Sequence, residues 1–341
     1  MMFTQMAVNV TESSQIGEVR RHASRIAAEA GLSQADCNNT AIVAMELATN
    51  LSRYATGGEV LLRTFGKNGG SGVEILALDR GPGIADVAKC LADGYSTGGT
   101  PGAGLGAIRR LSTEFDIFSM QPGGTVVLSR IQANKGRDVV PTGFSWGAIN
   151  RPAPHEQQCG DTWRIAERPD ELAVMVADGL GHGPLAALAA DSAAAAFEQH
   201  SFQALTQLFT LVDQRTRGSR GAAVAVAQIQ RSTGNLKYAG VGNIAASLKS
   251  QQGTSSKGLI SHSGTVGVEM RKVQQFDYEC PEQAVLIMHS DGLQNRWALE
   301  TYPGLLQRHP SIIAAILYRD FLRGRDDVTV VVIKFSVPRR G

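Results

Sequence analysis

Apolar positions along the chain follow two different spacings, and each spacing predicts one kind of element. From 42 to 51 they recur three or four apart, which is typical of one helix face, and the expected core stripe is Ile42, Val43, Met45, Leu47 and Leu51. Shorter apolar runs predict buried strands at 76–78, 125–131, 172–177, 284–288 and 328–333. The alanine-rich segment 185–198 and the segment 204–215 are predicted to form helices, and strands are expected after them at 222–229, 236–238 and 245–248.

A polar run, 132–138, interrupts the periodicity near the middle of the chain. A length of 341 residues with 43% hydrophobic content can fill the cores of two domains, since domains average roughly 150 residues. We therefore expect a first domain at 1–133, a linker at 134–142 and a second domain at 143–337. The first pattern is typical of a layered α/β sandwich with a glycine-rich lid, and the second indicates strands around two central helices.

Charge and cysteine usage exclude several classes of protein. The 33 basic and 31 acidic residues give a net charge of +2, which is too balanced for an electrostatic nucleic-acid binder. Four scattered cysteines form no Cys-x-x-Cys pair, so neither a zinc site nor a disulfide framework is indicated. The sequence has no signal-peptide pattern and no apolar run near the roughly 18 residues that span a bilayer. We expect a cytoplasmic protein that binds neither nucleic acid nor a membrane.

Acidic loops adjoin three of the predicted strands in the second half. Asp178-Gly179 and Asp291-Gly292 each follow an apolar run, and Asp326-Asp327 opens the last one. A single Asp-Gly pair more often makes only a turn. Three acidic loops at strand ends, with Asp161 upstream, instead predict a shared site for Mg²⁺ or Mn²⁺, which prefer oxygen ligands. Two such ions favour hydrolysis of a phosphate ester by a metal-bound water.

The motifs that carry a family resemblance in this half keep one order along the chain. The matching segments are 159–163, the loop at Asp178, 238–243, 290–292 and 326–329. Together they resemble the SpoIIE/RsbX branch of the PP2C-type serine/threonine phosphatases, over about 190 residues. The resemblance implies a PP2C-like αββα sandwich that binds two Mn²⁺ or Mg²⁺ ions.

The same resemblance implies roles for individual residues. Asp178 would bridge the two metals at the catalytic centre, Gly179 would offer its carbonyl, and the remaining metal-site residues would be Asp161, Asp291 and Asp326. His182 does not directly follow the Asp-Gly pair as histidine does in the wider PP2C pattern, so general acid and loop cap both stay open for it. No arginine matches the phosphate-binding arginine of the wider family.

Three motifs in the first half suit a nucleotide. Glu46 and Asn50 are four residues apart and share one helix face. An Asp-x-Gly-x-Gly turn at 79–83 lets a planar ligand lie close to the backbone while Asp79 accepts a hydrogen bond from an amino group. The glycine-rich stretch 96–106 leads into a helix-like segment, and N–H groups at a helix N-terminus bind phosphate. An exposed polar helix face and a flexible linker are the alternatives.

In this order the three motifs resemble the GHKL (Bergerat) ATP-binding fold, and most closely the RsbT-like and anti-sigma-factor serine kinases. The resemblance implies that Asn50 ligates Mg²⁺ on ATP, Glu46 acts in catalysis by polarising the attacking hydroxyl, and Asp79 reads adenine. Five glycines and one threonine would complete the ATP site. Gly81 and Gly83 would shape the pocket for the adenine base. Gly102, Gly104 and Gly106 would lie along the phosphates, with Thr125 nearby. No phosphoacceptor histidine lies upstream in a dimerising helix pair, so the acceptor is expected on another protein.

The combined prediction is a bifunctional regulator with an ATP-dependent serine/threonine kinase domain and a metal-dependent serine/threonine phosphatase domain. The resemblance implies STAS-domain proteins of bacterial partner switching, anti-sigma-factor antagonists or stressosome-like proteins, as substrates. A sigma factor is a further possible partner, and so is a second copy of the chain. The first alternative is an ATP-binding module that sequesters its partner without kinase turnover, fused to an active phosphatase. The second is a scaffold in which both sites are vestigial.

Overall fold

The chain divides into two compact units, Met1–Val139 and Val140–Gly341. The computed structural model describes residues 5–55, 57–66, 72–92, 104–133 and 143–338. The predicted linker, 134–142, lies outside the described residues, so the proposed domain boundaries stay a prediction. None of the helices in the described ranges is long and apolar enough to cross a membrane.

Over its described residues, the first unit contains one five-stranded sheet and four helices. In chain order the elements are β1 (Met6–Val10), α1 (Ser14–Glu29), α2 (Gln34–Tyr54), β2 (Gly58–Phe65), β3 (Gly72–Asp79), α3 (Val87–Leu91), α4 (Leu105–Leu111), β4 (Glu114–Met120) and β5 (Gly124–Gln132). The strand order is β1-β2-β3-β5-β4, and every neighbouring pair is antiparallel. The long helices α1 and α2 pack against each other and against one face of this sheet.

Helix α2 shows how the sequence sets this packing. Ser33 caps its N-terminus, where the hydroxyl accepts a hydrogen bond from the Asp36 amide at 3.1 Å. Val43 and Leu47, four residues apart, lie in the core between helix and sheet. Ile42 was predicted for the same stripe, and that prediction is wrong because its side chain is 43% exposed. The buried face runs through 43, 44, 47, 48 and 51, which turns position 42 toward solvent.

One rung of charged residues crosses four strands on the sheet face opposite the helices. Arg63, Glu74, Arg130 and Glu114 are successive cross-strand partners. The Glu74 carboxylate accepts hydrogen bonds from Arg63 Nε at 2.7 Å and from Arg130 Nε at 2.8 Å, and Arg130 Nη1 donates to Glu114 at 2.9 Å. The Glu74 side chain is fully buried, so the two guanidinium groups balance a charge that would otherwise be costly to bury.

The second unit contains two five-stranded antiparallel sheets. Its strands and helices are β6 (Phe144–Arg151), β7 (Asp161–Glu167), β8 (Glu171–Gly179), α5 (Pro184–His200), α6 (Leu205–Thr216), β9 (Ala222–Gln230), β10 (Asn235–Val241), β11 (Ala245–Ser250), β12 (Ser256–Leu259), β13 (Phe276–Glu279), β14 (Gln283–His289), α7 (Pro310–Phe321) and β15 (Val328–Ser336). The strand orders are β13-β10-β9-β8-β7 and β12-β11-β14-β15-β6. Two short 3₁₀ helices lie between β14 and α7.

The two sheets pack face to face with helices outside. Helices α5 and α6 cover the sheet that contains β8, and α7 covers the sheet that contains β15. Between the sheets, the Trp146 and Trp163 rings lie 5.3 Å apart and Asn150 donates a hydrogen bond to the Asp161 carbonyl at 3.2 Å. This confirms the αββα sandwich, in which the helices flank the strands. Helix α7, whose residues are buried from Pro310 to Arg319, was not predicted.

Candidate functional sites

The first unit holds a cavity of about 330 Å³ between α2, β3, β5 and the start of α4. Its walls are mostly apolar, with a few polar groups on one side, which is the usual construction of a small-molecule site. The lining residues are Leu47, Asn50, Leu51, Tyr54, Ala77, Asp79, Pro82, Gly83, Ile84, Cys90, Gly104, Leu105, Thr125 and Val127. The cavity can therefore hold a planar ligand against apolar walls and bind its polar edge.

Asp79 is the main charged group of this cavity. It ends β3, and its Oδ1 accepts hydrogen bonds from the Gly81 amide at 2.7 Å and from the Thr125 amide at 3.2 Å. Thr125 lies beside it because Leu78 and Val126 are cross-strand partners. Two backbone donors on one oxygen fix the carboxylate at the edge of the cavity.

Two glycines let the backbone segments around Asp79 approach closely. Gly83 and Gly124 both have φ of +78°, a conformation that other residues rarely adopt. A Cβ at Gly83 would lie 2.1 Å from the Met120 carbonyl oxygen, and one at Gly124 would lie 2.1 Å from the Asp79 carbonyl oxygen. Both positions therefore need glycine for conformation and for space.

Five of the residues predicted for ATP binding meet at this cavity: Asn50, Asp79, Gly83, Gly104 and Thr125. Gly81 supports Asp79 from its backbone, and Gly106 is buried within α4. Glu46, one turn before Asn50 on α2, is half-buried but does not line the cavity. Gly102 lies outside the described residues, as does the stretch 93–103. The apolar lining, such as Ile84 and Val127, was not predicted because its sequence signal is the same as that of core residues.

The acidic loops of the second unit come together at neighbouring ends of the two sheets. Asp161 opens β7 and Asp178 lies at the end of β8, and the two are direct cross-strand partners. In the other sheet, Asp291 follows β14 and Asp326 precedes β15. Their strand ends are joined where the Ser290 amide donates to the Thr329 carbonyl at 3.0 Å.

The electrostatics show that these carboxylates share one centre. Burial, followed by the charges of Asp291 and Asp326, raises the pKa of Asp178 to about 7. Burial, followed by the charge of Asp178, raises the pKa of Asp161 well above its ordinary value. Burial also raises the pKa of Asp327. Like charges held this close are stabilised by a cation among them.

Three acids of the centre differ in their hydrogen bonding. Neither carboxylate oxygen of Asp161 has a hydrogen-bond partner among the described residues, although both are buried. Asp291 accepts a hydrogen bond from the Asn243 side chain at 2.8 Å. Asp327 accepts one from the Ala153 amide at 2.8 Å. Asp161 thus offers buried oxygen atoms to a ligand, whereas Asp327 ties the loop at 153 to the start of β15.

The glycines of the Asp-Gly pairs are required by packing. A Cβ at Gly179 would lie 2.0 Å from the Ala186 carbonyl oxygen of α5, and one at Gly292 would lie 2.0 Å from the Asp327 carbonyl oxygen. Gly179 also donates its amide to the Gly160 carbonyl at 3.1 Å. These close approaches hold the loop after β8 against both α5 and the loop before β7.

The donor chemistry of this centre fits a hard divalent cation. Its carboxylates are oxygen ligands, and the buried, unpartnered oxygens of Asp161 add acceptor capacity. Across the described ranges, however, no three Asp, Glu, His or Cys side chains are placed closely enough to enclose an ion as they stand. The case for a metal therefore rests on donor type, burial and mutual repulsion. When bound, such ions supply a water of lowered pKa and polarise a phosphoryl oxygen.

Two features near the acidic centre were missed in the sequence. Asn243 lay within a matched segment, but nothing in the sequence indicated that it would bind Asp291. Glu156 lies 2.6 Å from His182 Nδ1, across a separation of 26 residues that carries no sequence pattern. The His182 side chain is 62% exposed, so this contact orients an imidazole that solvent and ligands can reach.

Comparison with known families divides the chain in the same way. The family model described as a histidine kinase-like ATPase domain matches residues 10–131, and the model described as stage II sporulation protein E (SpoIIE) matches residues 168–336. The serine/threonine-protein kinase RsbT of Bacillus subtilis (strain 168) is 34% identical over 126 residues, which cover 37% of this chain and 95% of RsbT. The phosphoserine phosphatase RsbX of the same organism is 27% identical over 135 residues, which cover 40% of this chain and 67% of RsbX.

Solved structures give the same fold for the second half. A structure described as the bacterial stressosome, a modular system adapted to control secondary messenger signaling, contains a chain that is 27% identical, with a TM-score of 0.52 over 56% of this chain and 98% of that one. RsbX in complex with magnesium has a TM-score of 0.51 at 23% identity, over 57% of this chain and 96% of RsbX. These comparisons confirm both predicted resemblances and the two-domain α/β fold class.

Proposed function

We propose that this protein both adds phosphate to a protein partner and removes it. The chain belongs to the RsbT-like family of histidine kinase-like ATPase domains, and it also carries a SpoIIE-type PP2C serine/threonine phosphatase domain. The combination of these two domains supports a role as a regulator of partner switching. The proposal also covers the identity of the partner, the two reactions and the residues that perform them.

The cavity around Asp79 supports the ATP-dependent half. Asp79 would accept a hydrogen bond from the adenine amino group, with Gly81 and Gly83 shaping the base pocket. Asn50, on the cavity wall, would ligate the Mg²⁺ that accompanies the triphosphate. Gly102, Gly104 and Gly106 would lie along the phosphates, with Thr125 nearby. Phosphoryl transfer depends mainly on such positioning and charge neutralisation, and Glu46 would polarise the attacking hydroxyl.

The buried acidic centre carries the phosphatase half. Asp178 would contact both metal ions, with Gly179, Asp161, Asp291 and Asp326 completing the site for two Mn²⁺ or Mg²⁺. Burial, followed by the charges of Asp291 and Asp326, raises the pKa of Asp178, so a cation at this carboxylate would offset the repulsion. Asn243 would hold Asp291 in position, because a side chain bonded at one oxygen keeps the other directed at its ligand.

The expected partner is a STAS-domain protein. RsbT is named a serine/threonine-protein kinase and RsbX a phosphoserine phosphatase, and the structure that shares 27% identity belongs to a stressosome. A protein that combines both kinds of domain is suited to set the phosphorylation state of such a partner in both directions.

A second candidate function is sequestration of the partner, or of a sigma factor, by an ATP domain that does not transfer phosphate. The position of Glu46 outside the cavity favours this alternative. In that case only the phosphatase domain turns over.

Intact-mass analysis separates the two functions. A STAS-domain protein is incubated with ATP, Mg²⁺ and the Asp178→Asn variant, whose impaired phosphatase leaves the product intact. We expect one added phosphate, no addition with the Asn50→Ala/Asp178→Asn double variant, and removal of the phosphate by the unmodified protein with Mn²⁺. Binding of ATP and of the STAS protein without added phosphate selects sequestration.

A further inference from the structure

The first two turns of α5 expose leucines where a helix normally carries polar residues. Leu185 and Leu188 are 55% and 59% exposed, and Leu180, in the loop before the helix, is 45% exposed. Residues three apart on a helix are surface neighbours. Later on the same helix the exposed positions are Glu198 and Gln199. The apolar part of the exposed face is thus confined to the end nearest the loop that carries Asp178.

These three leucines, here called the leucine rim, adjoin the acidic centre. Leu180 directly follows Asp178-Gly179, and its amide donates to the Gly221 carbonyl at 3.0 Å, which fixes it beside β9. The α5 backbone at Ala186 packs on Gly179. A protein segment whose phosphorylated residue reaches the acidic centre therefore passes the leucine rim.

An exposed cation lies on the same side. Arg220 precedes Gly221, and its Nη1 lies 3.0 Å from the point where a Cβ at Gly181 would stand. Its guanidinium thus covers the backbone of the loop between Asp178 and His182. Within the described part of the chain Arg220 makes no hydrogen bond or ion pair. An exposed arginine without a hydrogen bond or ion pair can bind two oxygens of a phosphate.

We propose that the leucine rim and Arg220 form a docking surface for a phosphorylated protein segment that has apolar side chains beside its phosphoserine or phosphothreonine. Arg220 contacts the dianionic phosphate, and the leucines bury the flanking apolar groups. This proposal rests on the phosphatase half of the proposed function. It adds a substrate preference, and it supplies a phosphate-binding arginine at a position that the family pattern does not indicate.

Two phosphoserine peptides of equal length and charge test the preference. One carries leucines on both sides of the phosphoserine and the other carries glutamines, and p-nitrophenyl phosphate serves as a small substrate without flanks. With Mn²⁺ present, we expect kcat/KM for the leucine peptide to exceed that for the glutamine peptide about tenfold. The Leu185→Gln/Leu188→Gln variant should lose this difference and keep its activity on p-nitrophenyl phosphate.

Ile260→Gln is the matched control, because Ile260 is 53% exposed at a site outside the leucine rim. It should keep the preference for the leucine peptide. Circular dichroism and melting temperature establish that the variants are folded. Equal kcat/KM for the two peptides in the unmodified protein, or an equal loss in the Ile260→Gln control, overturns the leucine rim as a docking surface.

The proposed role of Arg220 in phosphate binding is tested separately by measuring KM. Arg220→Gln should raise KM for both phosphopeptides and for p-nitrophenyl phosphate about tenfold, and Arg220→Lys should recover part of the loss. Arg215→Gln, which removes an exposed arginine near the end of α6, is the control and should have no effect. Fluorescence anisotropy adds a readout without turnover, since the metal-free protein should bind the phosphorylated leucine peptide more tightly than its unphosphorylated form.

The possible failures are distinguishable. If the unmodified protein hydrolyses none of the three substrates, the proposed phosphatase function is wrong. If it hydrolyses all three but Arg220→Gln leaves KM and peptide binding unchanged, only the assignment of Arg220 is wrong.

Discussion

Two glycines with the same backbone conformation allow the stability cost of backbone strain to be separated from the cost of a steric clash. Gly57 and Gly83 both have φ of +78°, but a Cβ at Gly57 meets nothing within 4 Å, whereas one at Gly83 would lie 2.1 Å from the Met120 carbonyl oxygen. We expect Gly57→Ala to cost about 1 kcal/mol of unfolding free energy, from conformation alone. Gly83→Ala should cost about 3 kcal/mol because it adds overpacking, and it should weaken ATP binding. Urea unfolding and ATP titration measure both, and equal costs would contradict this account.

The acidic centre predicts how stability depends on pH. The pKa of Asp178 is about 7 in the fold, against an ordinary value of 3.8. A raised carboxyl pKa means that its contribution to stability is complete below the ordinary value and is lost as the pH rises through 7. We expect metal-free protein to lose on the order of 4 kcal/mol between about pH 4 and pH 8 at this residue.

Asp178→Asn should remove that loss, so the variant should be the more stable protein at about pH 8 in the presence of a chelator. Added Mn²⁺ should reverse the order, because it stabilises only the form that binds it. Urea unfolding at several pH values measures the difference. A variant less stable than the unmodified protein at high pH without metal would refute the assignment of charge repulsion at this residue.

Single residues also show what the sequence alone can reveal. Asp79, Asp178 and Asp291 were predicted because each lies within two residues of a glycine at the end of an apolar run, a local signal that needs no knowledge of the fold. Asn243 and Glu156 carry no such signal, since each acts on a residue from a distant segment. The sequence thus reveals the reactive groups better than the groups that orient them.

At the scale of elements, the charged rung of the first sheet tests how much a buried ion pair contributes to the free energy of unfolding. The Glu74 side chain is fully buried between two arginines, whereas that of Glu29 is 57% exposed beside Arg25 on α1. We expect Glu74→Gln to cost about 3 kcal/mol, because two buried guanidinium groups lose the charge they contact. Glu29→Gln should cost less than about 0.5 kcal/mol. Urea unfolding of both variants makes the comparison, and similar costs would contradict it.

Strands were predictable where an apolar run adjoins an acidic loop, even where they are buried on both faces, as β8 is. Strand β8 lies where an apolar run precedes Asp178, and helix α2 lies where the three-to-four spacing begins. Ile42 was misplaced because the apolar positions of α2 cover more than one face, so the spacing alone did not fix which of them face the core. Helix α7 is buried from Pro310 to Arg319, and periodicity alone does not distinguish a buried helical segment from a buried strand.

For the whole molecule, the two sites predict that two ligands protect two separate sets of backbone amides from hydrogen exchange. Residues of the nucleotide cavity all belong to the first unit, and those of the acidic centre all belong to the second. We expect Mg-ATP to slow backbone hydrogen exchange around the cavity, and Mn²⁺ to slow it at the ends of β8 and β14. Asn50→Ala should abolish only the first effect and Asp291→Asn only the second. Loss of both effects in either variant would contradict separate sites.

The pairing of β6 with β15 has a consequence for how the protein is made. Asn150 on β6 donates a hydrogen bond to the Thr329 hydroxyl at 2.8 Å across 179 residues of chain. On the ribosome, β6 emerges long before its partner strand, and the acidic centre lacks Asp326 until that partner arrives. Contacts between distant residues also form slowly. A growing chain therefore completes the cavity around Asp79 first, and gains the acidic centre only after Asp326 has been synthesised.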